Sequence, residues 1–163
     1  MVVIVEGLDG TGKTTLTKRF ADKYKFDYVK GSYTNSDDEK LERLKTLLSQ
    51  IFDVKKNYIY DRCTIIDDFV YNFLDKKEPR FKEYIDIIKS ILNHCKIIHL
   101  IIEEKERNKR FLNRGDDYIT SDMIETISKN YVKFYKDMGI SLNVYALSND
   151  VDKDIENIYK LIK

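Results

Sequence analysis

The residues best suited to chemistry lie near the start of the chain, where residues 7–14 match the pattern GxxxxGK followed by Ser or Thr. The apolar residues 2–5 precede this pattern and predict a buried strand, and the periodicity of residues 13–24 predicts a helix after it. A glycine-rich turn between a strand and a helix aims N–H groups at an anion, and the helix dipole adds positive charge. A turn without a ligand could match by chance, but its surroundings favour a phosphate-binding loop.

Each residue type in this loop has a predicted role in binding a triphosphate. The glycines permit a tight backbone path, Lys13 is expected to reach the β- and γ-phosphates, and the hydroxyl of Thr14 is expected to ligate a bridging Mg²⁺ ion. The loop therefore predicts ATP and Mg²⁺ as cofactors. The residues predicted to contact ATP are Gly7, Asp9, Gly10, Thr11, Gly12, Lys13, Thr14 and Thr15.

Three further charged residues have positions that suit a metal ion or a second phosphate. Asp9 is acidic within an anion-binding loop, so we expect it to face a sugar hydroxyl or the metal. Asp61 and Arg62 follow the predicted strand at residues 57–60, where a carboxylate can orient Mg²⁺ and a guanidinium can reach a second phosphate. A surface ion pair between them is the structural alternative. The predicted metal ligands are Thr14, Asp61 and Asp9.

A run of arginines forms a second basic feature. Arg107, Arg110 and Arg114 recur at intervals of three and four, which places them along one face of a predicted helix at residues 104–114. An arginine can stabilise the charge that spreads over a phosphoryl group during its transfer. The alternative is a solvated basic face that neighbouring lysines would share.

Aromatic residues and histidines give weaker signals. Stacking on a base is one interpretation of several aromatic residues, although aromatic residues at helical spacing more often belong to a core. These residues are Tyr33, Phe69, Tyr71, Phe73 and Tyr131. His99 lies in the apolar run at residues 95–102 without a partner at metal-ligand spacing, and we expect it to be structural.

Strand and helix patterns alternate throughout the chain. Apolar runs predict strands at residues 2–5, 26–29, 57–60, 95–102 and 142–147. Periodicity predicts helices at residues 13–24, 64–75, 80–92, 104–114, 121–138 and 151–162, with a further helix ending near residue 52 and capped by Ser36 or Asp37. This alternation predicts an α/β fold with a parallel sheet covered on both faces, in which ligands bind at the carboxyl ends of the strands.

Composition limits the classes of partner. The 163 residues suit one domain, and 29 Lys and Arg nearly balance 28 Asp and Glu, which gives no reason to expect a nucleic-acid polymer or a membrane as partner. Cys63 and Cys95 lack metal-ligand or disulfide-framework spacing, and neither a signal peptide nor an apolar run of eighteen residues is present. We therefore expect a cytoplasmic protein.

In this order, the motifs resemble those of the thymidylate kinases within the P-loop nucleoside monophosphate kinases. EGLDGTGKTT is similar to their first motif, YDRC to their DR(Y/H) motif, IIHLIIEEKERNKRFLNRGDDYI to their fourth strand, arginine helix and short lid, and SDMIETISKNYVKFY to the following helix. The resemblance covers most of the chain. It implies one three-layer P-loop nucleotide kinase domain over residues 1–163, with a five-stranded parallel sheet of order 2-3-1-4-5, a lid around residues 107–120 and a homodimer.

The resemblance also implies roles for individual residues. Asp9 would contact the deoxyribose 3′-hydroxyl or the metal, and Arg62 would bind the acceptor phosphate. The family divides by the position of its catalytic arginine, and because loop position 10 is Gly10, this role falls to Arg110 or Arg114 in the lid. The implied catalytic residues are Lys13, Arg62, Arg110 and Arg114.

The implied substrate is a deoxynucleoside monophosphate, most favourably dTMP, with dUMP or a broader range also open. Departures from the family pattern lie in the nucleotide-selecting parts, where Cys63 replaces an aromatic residue or His and the second strand lacks an Arg-Glu-Pro run. Phe52 could supply a stacking ring in their place. The residues predicted to bind the substrate are Asp9, Tyr33, Phe52, Arg62 and Tyr71.

Two other functions are open to a chain of this kind. A deoxynucleoside kinase would phosphorylate a 5′-hydroxyl and would benefit from a carboxylate base near the end of the second strand, where the sequence is VKGSY. An ATP-binding switch would need a water-positioning residue and a mobile switch segment, whereas the additional arginines suit a second nucleotide.

Overall fold

A parallel sheet of five strands forms the middle layer of the structure, a computed structural model that describes residues 1–114 and 120–163. The strands are β1 (Val2–Gly7), β2 (Asp27–Lys30), β3 (Tyr58–Asp61), β4 (Cys95–Ile101) and β5 (Asn143–Ala146). The described pairings are parallel and follow the order β2-β3-β1-β4-β5. The predicted α/β fold and its strand order are confirmed.

Helices connect the strands and cover both faces of the sheet. They are α1 (Lys13–Tyr24), α2 (Asp37–Ile51), α3 (Thr64–Val70), α4 (Ile85–Asn93), α5 (Glu104–Arg114), α6 (Ser121–Met138) and α7 (Val151–Ile162). Ser36 caps α2, as predicted, by accepting a hydrogen bond from the N–H of Glu39, and Gly139 ends α6 in a left-handed conformation.

Two α-helices are shorter than the apolar periodicity predicts. The predicted helix at residues 64–75 is α-helical only to Val70 and is followed by a 3₁₀ turn at Asn72–Asp75. The predicted helix at residues 80–92 begins with another 3₁₀ turn, Lys82–Tyr84, before α4. The N–H of Phe81 donates to the buried carboxylate of Asp68 at 3.1 Å, and this contact ties the connection to α3 instead of extending α4.

Alternation along β1 creates two separate cores. Val2 and Ile4 pack with apolar side chains of α2, α3, α4 and α6, whereas Val3 and Val5 pack with those of α1 and α7. The sheet is therefore the middle of three layers. Because its strands are parallel, the ends of β1, β2, β3 and β4 lie along one edge.

The longest described helix, α6, has 18 residues and carries Asp122, Glu125 and Lys129 in its first half. Within residues 1–114 and 120–163, no helix is both long enough and apolar enough to cross a lipid bilayer.

Candidate active site

The predicted phosphate-binding loop connects β1 to α1 in a conformation that requires glycine. Gly7 has φ of +140° and Gly12 has φ of +91°, in a region that L side chains rarely adopt. A Cβ atom on Gly7 would lie 2.5 Å from the carbonyl oxygen of Leu100, and one on Gly12 would lie 2.9 Å from Nη1 of Arg110. Both glycines therefore allow a close approach as well as an unusual backbone angle.

Lys13 folds back over this loop. Its Nζ donates hydrogen bonds to the carbonyl oxygens of Gly7 at 2.8 Å and Leu8 at 2.7 Å. Burial lowers the pKa of Lys13 below its usual value, and the positive charge of Arg62 lowers it further, while nearby carboxylates oppose both effects. The ammonium group of Lys13 thus lies where the loop would hold phosphate groups.

Thr14 and Asp61 supply two side-chain oxygen atoms that are predicted to bind a metal ion. The Thr14 hydroxyl donates to Oδ2 of Asp61 at 2.6 Å, and the hydroxyl of Tyr28 donates to the same oxygen at 3.1 Å. Hydroxyl and carboxylate oxygens suit Mg²⁺, which usually binds through one or two protein ligands together with phosphate and water. In the described part of the chain, no group of three or more His, Cys, Asp or Glu residues could hold a metal ion.

Arg62 reaches over the loop from the end of β3. Its guanidinium pairs with Asp9, donates to the hydroxyl of Tyr71 at 2.8 Å and lies 3.4 Å from the carboxylate of Asp67. The backbone of Arg62 is left-handed, with φ of +73°. Such strain in a non-glycine residue persists only where surrounding contacts hold it, and it is common at functional sites.

These groups surround one cavity of about 340 Å³ at the carboxyl edge of the sheet, a volume in the range of small-molecule sites. The lining residues are Asp9, Gly10, Gly12, Lys13, Thr14, Lys30, Gly31, Ser32, Tyr33, Asp61, Arg62 and Tyr71. Predicted donor, metal and acceptor residues therefore share one space, although Asp9 pairs with Arg62 rather than with Thr14 and Asp61.

Phe52 lies away from this cavity. It caps the end of α2 with 75% of its surface exposed and borders a different groove, together with residues of α4 such as Ile87. Since α2 follows β2 and runs back from the carboxyl edge of the sheet, its last turn lies far from the site. The structure thus gives the predicted stacking role of Phe52 no geometric support.

Of the two arginine side chains of α5 that the structure describes, Arg110 donates to the loop. Its Nη1 donates to the carbonyl oxygen of Thr11 at 3.0 Å, and its Nη2 lies 3.4 Å from the side-chain oxygen of Asn149. Arg107 instead pairs with Glu104 at 3.8 Å. The side chain of Arg114 and residues 115–119 of the predicted lid lie outside the described residues.

The other predicted loop residues are close to the site but outside its lining. Thr11 is buried, and its hydroxyl donates to the carbonyl oxygen of Leu8 at 2.9 Å. Thr15 is exposed in the first turn of α1. Their predicted contacts with ATP remain predictions.

The remaining aromatic candidates belong mainly to the core. Tyr131 is 2% exposed, and Phe69 packs against Phe134 with a ring distance of 5.2 Å. His99 is structural, as expected, since its Nδ1 lies 3.1 Å from the hydroxyl of Tyr135. Burial lowers the pKa of His99 to about 4, and the charge of Lys13 acts in the same direction.

Sequence reasoning missed two fully buried carboxyl groups behind Arg62. Asp67 lies on α3 beside the guanidinium, and Glu6 precedes Gly7 on β1. An acidic residue within the apolar run VVIVE, and another within the apolar helix TIIDDFV, were the available signals. A carboxyl group in such a position normally has a specific partner.

Two relatives are similar over nearly the whole chain. The SPbeta prophage-derived protein YorR of Bacillus subtilis (strain 168) is 27% identical over 165 residues, which cover 94% of this chain and 96% of YorR. A probable thymidylate kinase of Methanococcus aeolicus is 26% identical over 188 residues, which cover 98% of this chain and 92% of that protein.

Solved structures share the fold at low sequence identity. The crystal structure of YorR in complex with phosphorylated GDP has a TM-score of 0.74 at 21% identity, covering 99% of this chain and 95% of YorR. Deoxyadenosine kinase from M. mycoides, with the products dCMP and dCDP bound, has a TM-score of 0.58 at 20% identity, covering 99% and 98%. The chain therefore shares its fold with YorR and with this deoxyadenosine kinase.

A family model gives a broader assignment. The model, described as an AAA domain, covers the phosphate-binding loop, Asp61, Arg62 and α5. Because it matches residues 1–143 of the 163 in the sequence, the chain belongs to the AAA domain family.

Proposed function

We propose that this chain transfers the γ-phosphoryl group of ATP to a deoxynucleoside monophosphate, most favourably dTMP, with dUMP or a broader range as further acceptors. One observation carries the proposal. The cavity of about 340 Å³ combines Lys13, the oxygen pair of Thr14 and Asp61, and Arg62. It thereby offers places for the donor phosphates, a metal ion and a second phosphate within a single space.

The chemistry requires positioning more than proton transfer. An oxygen of the acceptor phosphate bonds to the γ-phosphorus while the bond to the bridging oxygen breaks, and the electron pair leaves with ADP. The acceptor phosphate is already ionised at neutral pH, so no general base is needed. In this proposal Lys13 holds the donor phosphates, Arg62 orients the acceptor, and Arg110, which donates to the carbonyl oxygen of Thr11, stabilises the transferred group. Bound Mg²⁺, held by Thr14 and Asp61, would neutralise charge on the donor phosphates.

The comparisons are compatible with this assignment at different levels of detail. The Methanococcus relative is described as a probable thymidylate kinase, which supports a nucleotide acceptor. The M. mycoides structure is that of a deoxyadenosine kinase, so the same fold is also compatible with a nucleoside acceptor. The choice of acceptor therefore depends on the cavity itself.

Asp9 gives a nucleoside kinase a specific basis as the second candidate function. Its carboxylate lines the cavity beside Arg62, and the side chain is 35% exposed. A carboxylate in this place could accept the proton of a 5′-hydroxyl. We nevertheless favour the monophosphate, because the ion pair with Asp9 holds the Arg62 guanidinium at the cavity. A guanidinium binds a phosphate group better than it binds a hydroxyl group.

An acceptor panel distinguishes these functions. The protein is incubated with ATP and Mg²⁺ together with dTMP, dUMP, dCMP, dAMP or dGMP, or with the matching deoxynucleosides, and the products are separated by ion-exchange chromatography. We expect diphosphate products, with dTDP formed fastest. Monophosphates formed only from nucleosides would support the second candidate, and ATP turnover that ignores every acceptor would overturn both kinase assignments.

A further inference from the structure

Glu6 is a fully buried carboxyl group at the centre of the sheet. It is the fifth residue of β1, and the four residues before it are apolar. Burial raises the pKa of Glu6 well above its usual value, and the charge of Asp67 raises it further. A carboxyl group is costly to bury, so its contacts, rather than the needs of the strand, must explain its presence.

The contacts of Glu6 lead to the peptide group that follows Arg62. The Glu6 Oε1 accepts a hydrogen bond from the N–H of Cys63 at 2.7 Å. The N–H of Arg62 itself donates to the carbonyl oxygen of Val5 at 3.1 Å. Two consecutive residues of β1 therefore hold the peptide groups on either side of Arg62.

These contacts hold a strained turn. Arg62 has φ of +73°, a conformation that is unfavourable for a residue with a side chain. The turn directs the guanidinium back over the loop toward Asp9. Without the Glu6 carboxylate to accept the N–H of Cys63, the turn could relax. The pairing of β1 with β3, which ends at Val5 and Asp61, would stay in place.

Glu6 also supports the far side of the guanidinium. The hydroxyl of Tyr131 donates to Glu6 Oε2 at 2.9 Å, and the Tyr131 ring meets the Tyr71 ring edge-on, with 6.4 Å between centroids. The hydroxyl of Tyr71 in turn accepts a hydrogen bond from Arg62 at 2.8 Å. Glu6 is thus linked to Arg62 by two routes, through the N–H of Cys63 and through Tyr131 and Tyr71.

We propose that Glu6 is a positioning residue that holds Arg62 in the left-handed conformation from which its guanidinium reaches the cavity. Glu6 is absent from the described lining of the cavity, so it acts on the acceptor phosphate only through Arg62. The acceptor part of this inference rests on the proposed function, whereas the effect on the conformation of Arg62 does not.

The test compares Glu6→Ala with Glu6→Gln. Glutamine keeps an oxygen that can accept from Cys63 and an amide that can donate to the Tyr131 oxygen, whereas alanine removes both contacts. We expect Glu6→Ala to raise the KM for dTMP roughly tenfold, with little change in the KM for ATP, and Glu6→Gln to stay close to the unmodified protein. Equal effects on both KM values would overturn the proposal.

Asp154→Ala is the matched control. Asp154 is also buried and accepts hydrogen bonds from a backbone N–H, that of Ser148, and a tyrosine hydroxyl, that of Tyr145. This variant should lose stability without a selective change in the KM for dTMP.

If Glu6→Ala does not fold, Tyr131→Phe removes only the hydroxyl that donates to Glu6, and it should raise the KM for dTMP by a smaller factor.

A crystal structure of the Glu6→Ala or Tyr131→Phe variant separates this inference from the proposed function. We expect φ of Arg62 to leave the left-handed region, or the guanidinium to leave Asp9. An unmoved Arg62 would overturn the positioning role even in an active kinase. If Arg62 is displaced in the variant and the unmodified protein phosphorylates no nucleotide, the positioning role is supported and the proposed function is rejected.

Discussion

Lys13 places a positive charge against the loop backbone, with Nζ within 2.8 Å of two carbonyl oxygens. Replacing it with alanine should lower kcat by at least about 100-fold, because a preorganised cation no longer meets the charge of the transferred group. Steady-state kinetics with ATP and dTMP measure the effect. The control is Lys18→Ala, an exposed lysine on the same helix, which should retain activity. Full turnover in Lys13→Ala would mean that the loop does not hold the donor.

Arg62 offers a more selective test. Arg62→Lys keeps a positive charge between Asp9 and Asp67 but loses the planar fork that matches a phosphate. We expect the KM for dTMP to rise roughly tenfold while the KM for ATP changes little. Arg19→Lys, at an exposed position of α1, serves as the control. A rise confined to the KM for ATP would show that Arg62 contacts the donor.

At the scale of elements, the junction of β2 and β3 sets one wall of the cavity. The N–H of Gly31 donates to the carbonyl oxygen of Asp61 at 2.8 Å, and both Gly31 and Ser32 line the site. Arg43 of α2 holds this segment from behind by donating to the side-chain oxygens of Ser32 and Thr64. A helix that does not line the cavity thus fixes the position of its wall.

Gly31→Ala should disturb this wall. A Cβ atom at residue 31 would lie 2.2 Å from the carbonyl oxygen of Arg62, so the two backbones would have to separate. We expect a lower Tm, a destabilisation of about 1–3 kcal/mol and a higher KM for dTMP. Gly139→Ala is the comparison, since its nearest contact is 3.4 Å away and only its left-handed cap is strained. That variant should lose about 1 kcal/mol without any change in KM.

Local patterns were sufficient to predict much of this architecture. The loop, its flanking strand and helix, and the pairing of Thr14 with Asp61 follow from motif spacing and from the common edge at which parallel strands end. The end of α3 and the beginning of α4 could not be predicted in this way, because the connection between them makes contacts such as that of Phe81 with Asp68, which periodicity does not report. Periodicity reports which face of a helix is apolar and not where a side-chain contact interrupts it.

The support of Arg62 was beyond reach for a related reason. Tyr131 and Glu6 are 125 residues apart in sequence, and their contact exists only once α6 packs beside β1. The misplacement of Phe52 has the opposite origin. Its place at the end of the helix between the second and third strands suggested a ring that could stack on the base, but the direction of α2 takes it away from the cavity.

At the scale of the whole molecule, charge is balanced, with 29 basic and 28 acidic residues, so anion binding must be local. Lys13, Lys30 and Arg62 face Asp9 and Asp61 around the cavity. The central strand β1 joins the loop to both cores, which anchors these charges to the most buried part of the fold. We therefore expect stability and activity to depend on several of the same buried groups.

His99 should give stability a pH dependence. Its folded pKa of about 4 lies below the usual value of 6.5, so between these values the unfolded chain binds a proton that the folded chain does not. The free energy of unfolding should therefore fall as pH decreases from about 6.5 to about 4. Buried Glu6 and Asp67, whose pKa values are raised, act in the opposite direction.

Comparison with His99→Gln isolates this contribution from those carboxyl groups. Urea unfolding at pH 7.5, 6 and 5, values chosen around the usual histidine pKa of about 6.5, should show the unmodified protein losing stability relative to the variant on acidification. Parallel curves for the two proteins would contradict the assigned pKa of His99.

The two hydrogen bonds from Lys13 to its own loop have a consequence for the timing of nucleotide entry. A triphosphate that recruits this ammonium group must first replace the carbonyl oxygens of Gly7 and Leu8, so binding exchanges one set of partners for another. Encounter and capture then become separate events. In stopped-flow mixing, the observed rate should level off at high ATP concentration. The plateau would measure the rate at which Lys13 breaks its hydrogen bonds to the loop carbonyl oxygens.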